Sequence, residues 1–296
     1  MFNWLKDEKD PNWIMLLDSA AFSVWTRGLT LDLDEYADYC HQAFEENIVT
    51  AAASVDVIPG QYGRVPSQEE VLASASQGWE NYLYLVEKRN LPTHKMLHIF
   101  HQGEDIKWLE TLMKYNDDYV KSGGEPLYIG LSPANDRTTK QKAMWLDQIM
   151  PYITNEDGSP KVKWHGFGVT ATSLMRRYPW FTIDSTSWMR AGSFGGLKIP
   201  AFAEKRPYLD SKTTIAVTER TGESQGAKHY DNLSPQVQKA IKAYLDIAGS
   251  TIEEVKKDEA EGVIARQKVN IHYWKQMEQE LQTVDNRWHA SQPSFI

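Results

Sequence analysis

The stretch Phe181-Thr182-Ile183-Asp184-Ser185-Thr186-Ser187-Trp188 decides how this chain is read, because a short apolar run ends there on a carboxylate. Earlier runs close in the same way. Trp13 to Leu17 leads into Asp18-Ser19-Ala20-Ala21-Phe22, Ile48 to Val55 stops at Asp56 before the breaker Pro59-Gly60, and Met96 to Phe100 closes on His101-Gln102-Gly103. Leu127 to Leu131 is followed by Ser132-Pro133, and Val162 to Val169 carries His165-Gly166-Phe167-Gly168. Between the runs lie segments of helical spacing: Leu33 to Phe44, a helix opened by the capping box Ser67-Gln68-Glu69-Glu70 and running to about Asn90, one through Trp108, Leu109, Leu112 and Met113, one around Met144 to Met150, and a short one near Ser173 to Arg177.

Strands that alternate with helices long enough for right-handed crossovers predict an α/β fold with a parallel sheet. Six such units favour closure into a TIM-type (β/α)8 barrel with extra C-terminal helices. We expect residues 1–215 to form the barrel core and residues 216–296 a helical extension packed on it, one domain overall. Beyond Asp184 the rhythm fades. Thr213 to Val217 reads as one more strand and Glu219 to Asp231 as a polar loop. Ser234-Pro235 starts a helix that stops at Gly249, and Ser250-Thr251-Ile252-Glu253 caps another. Ile252, Val255, Val263, Ile264, Ile271, Trp274, Met277, Leu281 and Val284 give that last helix one apolar face, for the barrel or for a partner.

Composition narrows the classes. An apolar fraction of 41% and 11 tryptophans argue against a disordered chain. A single cysteine, Cys40, excludes an internal disulfide and any multi-cysteine zinc site, and no cofactor is implied. The start, Met1 to Glu8, is charged where a signal peptide needs an apolar stretch, and no run is long enough to span a bilayer, so a reducing cytoplasm is expected. The net charge of −8 speaks against a general nucleic-acid binder. Locally, Arg190, Lys198, Glu204, Lys205 and Arg206 make a basic stretch, which a solvated loop would match equally well.

Singly, an Asp after a strand is most often a helix cap or turn former. Together, Asp18, Asp56, Gln102 and Asp184 would meet on the carboxyl-end rim of a parallel barrel. Two carboxylates there suit a nucleophile and an acid/base for substitution at an anomeric carbon. His98, His101 and His165 read as hydrogen-bonded core or pocket-wall groups rather than metal ligands, Trp4, Trp13 and Trp288 as packing residues, and Cys40 as a small buried apolar group.

The ordered set Asp18-Ser19-Ala20-Ala21-Phe22-Ser23, Val55-Asp56-Val57-Ile58-Pro59, His101-Gln102-Gly103, Tyr128-Ile129-Gly130-Leu131, Gly166-Phe167-Gly168-Val169 and Phe181 to Ser185 resembles the tRNA-guanine transglycosylase (queuine tRNA-ribosyltransferase) family. The resemblance covers about residues 13 to 200. Its style, with Leu17 to Trp25, is nearest the phage and bacterial relatives that place 7-deazaguanines in DNA. It implies that Asp184 is the nucleophile on C1′ of a guanosine and Asp18 the general acid/base. Asp56 and Gln102 would bind one edge of the base, the backbone at Gly130 and Leu131 the other, and Phe22 and Phe167 would sandwich the ring. Arg190 and Lys198 fall where the nucleic-acid backbone would lie.

The chain departs from the family in lacking the three-cysteine, one-histidine zinc site, so no zinc subdomain is expected. It also has Ala20-Ala21 in a Gly-rich motif and a reduced basic segment after the nucleophile. The expectation is exchange of guanine for a 7-deazaguanine base, with DNA preferred over tRNA as the polymer. A barrel glycoside hydrolase also uses paired carboxylates. A non-catalytic, nucleic-acid-binding partner subunit acting through the C-terminal helix remains a third reading, and that helix is also the expected site of any homo- or hetero-oligomer.

Overall fold

In the computed structural model, residues 14–60, 64, 66–202, 209, 214–218, 228–283 and 287–290 are described. Two parallel sheets carry the first two-thirds: β1 (Leu16–Leu17), β2 (Ala51–Ala53) and β3 (Met96–Leu97), then β4 (Ile99–His101), β5 (Tyr128–Ser132), β6 (Lys163–Gly166) and β7 (Thr182–Ile183). Within each sheet, neighbours in space are neighbours in sequence, and every pairing is parallel. Only His98 separates β3 from β4, and there the run changes partner from β2 to β5. The Gly130 N–H donates to the His98 carbonyl at 2.8 Å across that junction. The fold is therefore mixed α/β, and within each sheet the carboxyl ends of the strands point one way.

The expected strand from Ile48 to Val55 is shorter than its apolar run. Asn47 takes a φ of 52°, and the N–H groups of Ile48 and Val49 turn back to the Ala43 carbonyl at 2.9 and 3.4 Å instead of joining a ladder. Helices fill the connections: α1 (Ala21–Arg27), α2 (Leu33–Glu45), α3 (Gln68–Leu83), α4 (Ile106–Lys121), α5 (Thr139–Ile153) and α6 (Thr172–Arg177). Their starts follow from capping chemistry. Asp32 accepts from the N–H groups of Asp34 and Glu35 at 2.8 and 3.1 Å, and reciprocal capping boxes join Ser67 to Glu70 and Thr138 to Gln141. Leu109, Leu112, Leu146 and Ile149 bury their helices against Phe100, Ile129, Leu131 and Trp164 of the strands.

Beyond β7 come α7 (Ser187–Ser193), an antiparallel pair of β8 (Gly196–Lys198) and β9 (Thr214–Ala216), and then α8 (Pro235–Ile247), α9 (Ile252–Lys256) and α10 (Ala260–Leu281). Leu197, Ile215 and Val217 share a second core with Ile241, Tyr244, Leu245, Val255 and Val269. The boundary expected at residue 215 falls inside β9, whose apolar side chains pack with the C-terminal helices.

The single long helix expected from Ile252 is two. Arg266, 1% exposed, donates from Nε to Gly192 O at 2.7 Å and from Nη1 to the carbonyls of Val255 and Lys257 at 2.7 and 2.6 Å. Those last carbonyls of α9 find a guanidinium instead of a further helical turn, so the chain folds back and restarts. Gly262 permits the return, since a Cβ there would lie 2.0 Å from Lys257 O. Asn270, one turn on, donates to Trp188 O and Gly196 O at 3.0 and 3.2 Å and accepts from Lys198 N at 2.6 Å. The helix after Asp184 is thus bolted to α10 by two buried polar side chains.

Trp4, Trp13, Glu204, Lys205, Arg206, Thr213, Val284 and the span from Glu219 to residue 227 lie outside the described residues. No described helix is long and apolar enough to cross a membrane.

Candidate active site

Asp18 follows β1 and Asp184 follows β7, and both line one cavity of about 1120 Å³. Its walls also include Leu16, Tyr128, His165, Phe167, Ile183 and Trp188, with Trp274 and Met277 of α10 on the far side. Ala20, beside Asp18, has a φ of 59° in the left-handed region that glycine favours, and its neighbour Ala21 donates its N–H to Ser19 Oγ at 3.3 Å. Partial burial pushes the Asp18 carboxyl up from its ordinary value, against the pull of the Ala20 N–H, and the charges of Asp56 and Asp184 add to the rise.

Asp184 is tuned the opposite way. Burial pushes it up, but the His165 ring and the Gly168 N–H outweigh burial and hold it below its ordinary value. The Gly168 N–H donates to Asp184 Oδ1 at 2.7 Å, and His165 Nε2 stands 3.6 Å from the same oxygen. Gly168 has a φ of 64°, which turns its amide toward the carboxylate. One carboxyl shifted toward its protonated form beside one shifted toward its ionised form is the usual arrangement of an acid and a nucleophile.

Asp56 stands three residues beyond β2, in a segment steadied by Asn81 Nδ2 on Val55 O at 3.0 Å. It is engaged by a residue that sequence reasoning placed only on the pocket wall. His101 contacts Asp56 Oδ2 through Nε2 at 3.0 Å and Glu104 Oε1 through Nδ1 at 2.9 Å, with 28% of its side chain exposed. Burial disfavours its cation, yet the two carboxylates prevail and raise its pKa from 6.5 to about 10. At neutral pH it is an imidazolium donating from both nitrogens; among the described residues the other Asp56 oxygen takes no side-chain hydrogen bond, and Asp56 is not one of the residues that line the cavity.

A raised folded-state pKa stabilises the fold fully below the unfolded value and ceases to do so as pH climbs through the folded one. The stability difference between the wild-type protein and His101→Gln is therefore expected to be flat below about 6.5 and to shrink toward pH 10, in urea titrations. A difference that grows over that range would contradict the clamp. His98, three residues earlier, is the opposite case. Burial pushes it down to about 3, and it packs edge-on to Trp79 at 5.2 Å as a neutral core ring.

Other expected base-binding groups are only partly brought together. Gln102 is turned away, with Oε1 accepting from Ala134 N at 3.1 Å and Nε2 donating to Gln141 O at 3.3 Å. Gly130 N is spent on His98 O, and Leu131 O accepts from Phe167 N at 2.9 Å. Phe22 is 57% exposed on α1, faces Trp25 at 5.8 Å, and is not part of the cavity wall. Phe167 does line it, against His165 at 4.4 Å. Gly130 makes room for that ring, since a Cβ there would lie 2.7 Å from Phe167 Cε2 and 3.0 Å from Ile99. Gly130→Ala is accordingly expected to cost about 1–3 kcal/mol of stability by overpacking, measured as a lower urea midpoint with unchanged slope. An unchanged midpoint would show that Phe167 swings aside freely.

Arg190 is exposed on α7, and Lys198 holds its Nζ 6.0 Å from the Tyr273 ring; neither lines the cavity. The cations that do are Arg176, Arg177, Lys275 and Arg287, of which Arg176 pairs with Glu280 at 2.6 Å and Arg177 with Asp147 at 2.8 Å. Their spacing along the chain carried no signal. Among the described residues no three His, Cys, Asp or Glu are grouped to hold a metal ion.

No family model matches the chain, and no curated protein does. The paired carboxylates and their opposed tuning are what the site itself offers.

Proposed function

We propose that the chain is a nucleobase transglycosylase, built on a (β/α)8 barrel with extra C-terminal helices, that exchanges guanine in DNA for a 7-deazaguanine. The observation that carries this reading is the opposed tuning of two strand-end carboxyls on one cavity, Asp18 upward and Asp184 downward. Barrel closure is favoured because Leu16 of β1 and Thr182 and Ile183 of β7, from opposite ends of the strand succession, line the same cavity.

Ionised Asp184 attacks C1′ of the target nucleotide while the C1′–N9 bond breaks and its electron pair leaves with guanine. Asp18 gives its proton to the departing base. The resulting glycosyl ester is then attacked by N9 of the incoming 7-deazaguanine, whose N9 proton passes to Asp18 as the Asp184 carboxylate is released. Two displacements retain configuration at C1′. Positive charge building on the sugar is stabilised by the Asp184 carboxylate before the bond forms. Phe167 supplies an aromatic face on the cavity wall, and Asp56, which does not line the cavity, would accept from the N–H groups of a guanine-like edge that extends beyond it. Reaching C1′ in a duplex requires the nucleotide to leave the stack, and the site takes a single extruded base. Gln102 would join the base only after releasing Ala134 and Gln141. One cysteine and the lack of any described membrane-spanning helix suit a cytoplasmic enzyme.

The test is exchange of labelled guanine into duplex DNA, single-stranded DNA and tRNA, offered in parallel to the folded protein. Incorporation into DNA is expected. Incorporation into tRNA alone would move the substrate to tRNA, and none into any polymer would remove the reading altogether.

A further inference from the structure

Behind Asp184 runs a buried chain of polar side chains that ordinary core packing leaves unexplained. His165 is 3% exposed, and its Nδ1 lies 2.7 Å from Thr182 Oγ1. Thr182 Oγ1 is in turn hydrogen-bonded to the Tyr128 hydroxyl. At the other end of the ring, Nε2 is shielded from solvent, has no hydrogen-bond partner among the described residues, and points at Asp184 Oδ1 from 3.6 Å. The pairing of His165 with Thr182 across β6 and β7 fixes the first link, and the Phe167 ring, edge-on at 4.4 Å, restrains the imidazole.

Counting protons gives the chain a direction. If Nδ1 carried the hydrogen, it would donate to Thr182, and three hydrogens would share two contacts, so the hydroxyl proton of either Thr182 or Tyr128 would be left without an acceptor in the chain. The Nε2 lone pair would then face a carboxylate oxygen, an unfavourable contact in a buried site. In the opposite direction Tyr128 donates to Thr182 and Thr182 donates to Nδ1, so each of the two hydrogen bonds has its own hydrogen, and Nε2–H faces the Asp184 carboxylate with the favourable sign of charge. Burial pushes the Tyr128 hydroxyl up to about 12, so it has a proton to donate throughout the neutral range.

We propose that His165 is a positioning residue for Asp184, its Nε2–H tautomer imposed by the Tyr128–Thr182 pair so that this N–H keeps the carboxylate ionised and aimed into the cavity. Calling Asp184 a nucleophile rests on the function proposed above; the tautomer and its effect on Asp184 do not. A separation of 3.6 Å is longer than a hydrogen bond, and catalytic contacts of this kind commonly tighten when substrate binds. The other groups that act on Asp184 are the Gly168 N–H and its own backbone N–H; the Asp18 carboxyl shares the cavity, and Asp56 acts on Asp18.

The test is an NMR titration of the full chain, with 15N on histidine and 13C on aspartate carboxyls, read alongside the pH profile of kcat/KM. His165 is expected as the Nε2–H tautomer. In Thr182→Val, which keeps the side-chain shape and removes the hydroxyl, the tautomers are expected to mix and Asp184 to titrate at higher pH. His165→Leu raises it further, whereas His165→Gln, whose amide nitrogen replaces Nε2, restores it in part. Because a depressed carboxyl loses its charge as pH falls through its folded value, the acid limb of kcat/KM moves to higher pH in step. An Nδ1–H tautomer in the wild-type protein, or an Asp184 titration unmoved in both Thr182→Val and His165→Leu, overturns the proposal. Moved titrations in a protein that exchanges no base would support the relay and sink the transglycosylase reading.

Discussion

Replacing Asp184 with asparagine is expected to lower base exchange by roughly 10⁴-fold or more, the scale on which removal of an enzymic nucleophile acts. Asparagine has the same shape and retains an oxygen for the Gly168 N–H, so the turn after β6 is preserved. What it lacks is the charged oxygen that bonds to C1′. The melting temperature is expected to stay within a few degrees of wild type, because the side chain is 55% exposed and touches few groups. A denaturation-resistant protein–nucleic acid adduct should form with the wild-type chain and not with Asp184→Asn. Asp18→Asn is expected to behave differently, with formation and resolution of the adduct both slowed, since one proton serves both half-reactions. Equal loss of folding in either variant, seen by circular dichroism, would remove the comparison's meaning, and for that reason both are asparagine rather than alanine.

The largest stability effect is expected from Arg266→Met. The guanidinium is buried, forms no ion pair with a carboxylate among the described residues, and holds the carbonyls of Gly192, Val255 and Lys257. Methionine follows the same stem but leaves the Val255 and Lys257 carbonyls without their donor, each at a cost of roughly 1–3 kcal/mol, and Gly192 O with the Gly195 N–H at 3.3 Å alone. Relief of a desolvated charge offsets part of this, as the downward pKa shift of Arg266 through burial indicates. The net expectation is a loss of about 3 kcal/mol or more. Because Gly192 lies on α7, the loss should loosen the segment that follows Asp184. Exchange activity is expected to fall at temperatures where the chain is still mostly folded, read by hydrogen exchange at residues 187–196. A variant as stable as wild type would show that water replaces the guanidinium at no cost.

Much of the strand–helix alternation was legible because it rests on local chemistry. Ser67 and Glu70, or Ser234 before Pro235, announce a helix start whatever surrounds them. Asp18 and Asp184 directly follow β1 and β7 as their apolar runs announce, whereas β2 ends at Ala53, three residues before Asp56. What escaped is set by contacts distant in sequence. The break at Lys257 depends on Arg266, 9 residues away, and on Gly192, 74 residues from Arg266. His101 and His165 look alike in sequence as histidines at strand ends, yet one is clamped between Asp56 and Glu104 and the other is fed by Thr182 and Tyr128. Gln102 shows the converse: its place after β4 was clear, but the direction of its amide is decided by Ala134 and Gln141 from the next unit.

The central claim is that Asp184 becomes covalently bonded to the target sugar. Its most direct measurement is mass-spectrometric mapping of the trapped adduct after quenching, proteolysis and nuclease digestion. A pentose-linked residue located in the peptide that contains Asp184, absent from Asp184→Asn, is the predicted result. A modification on Asp18 or any other residue, or base exchange that proceeds with no adduct at all, would contradict it.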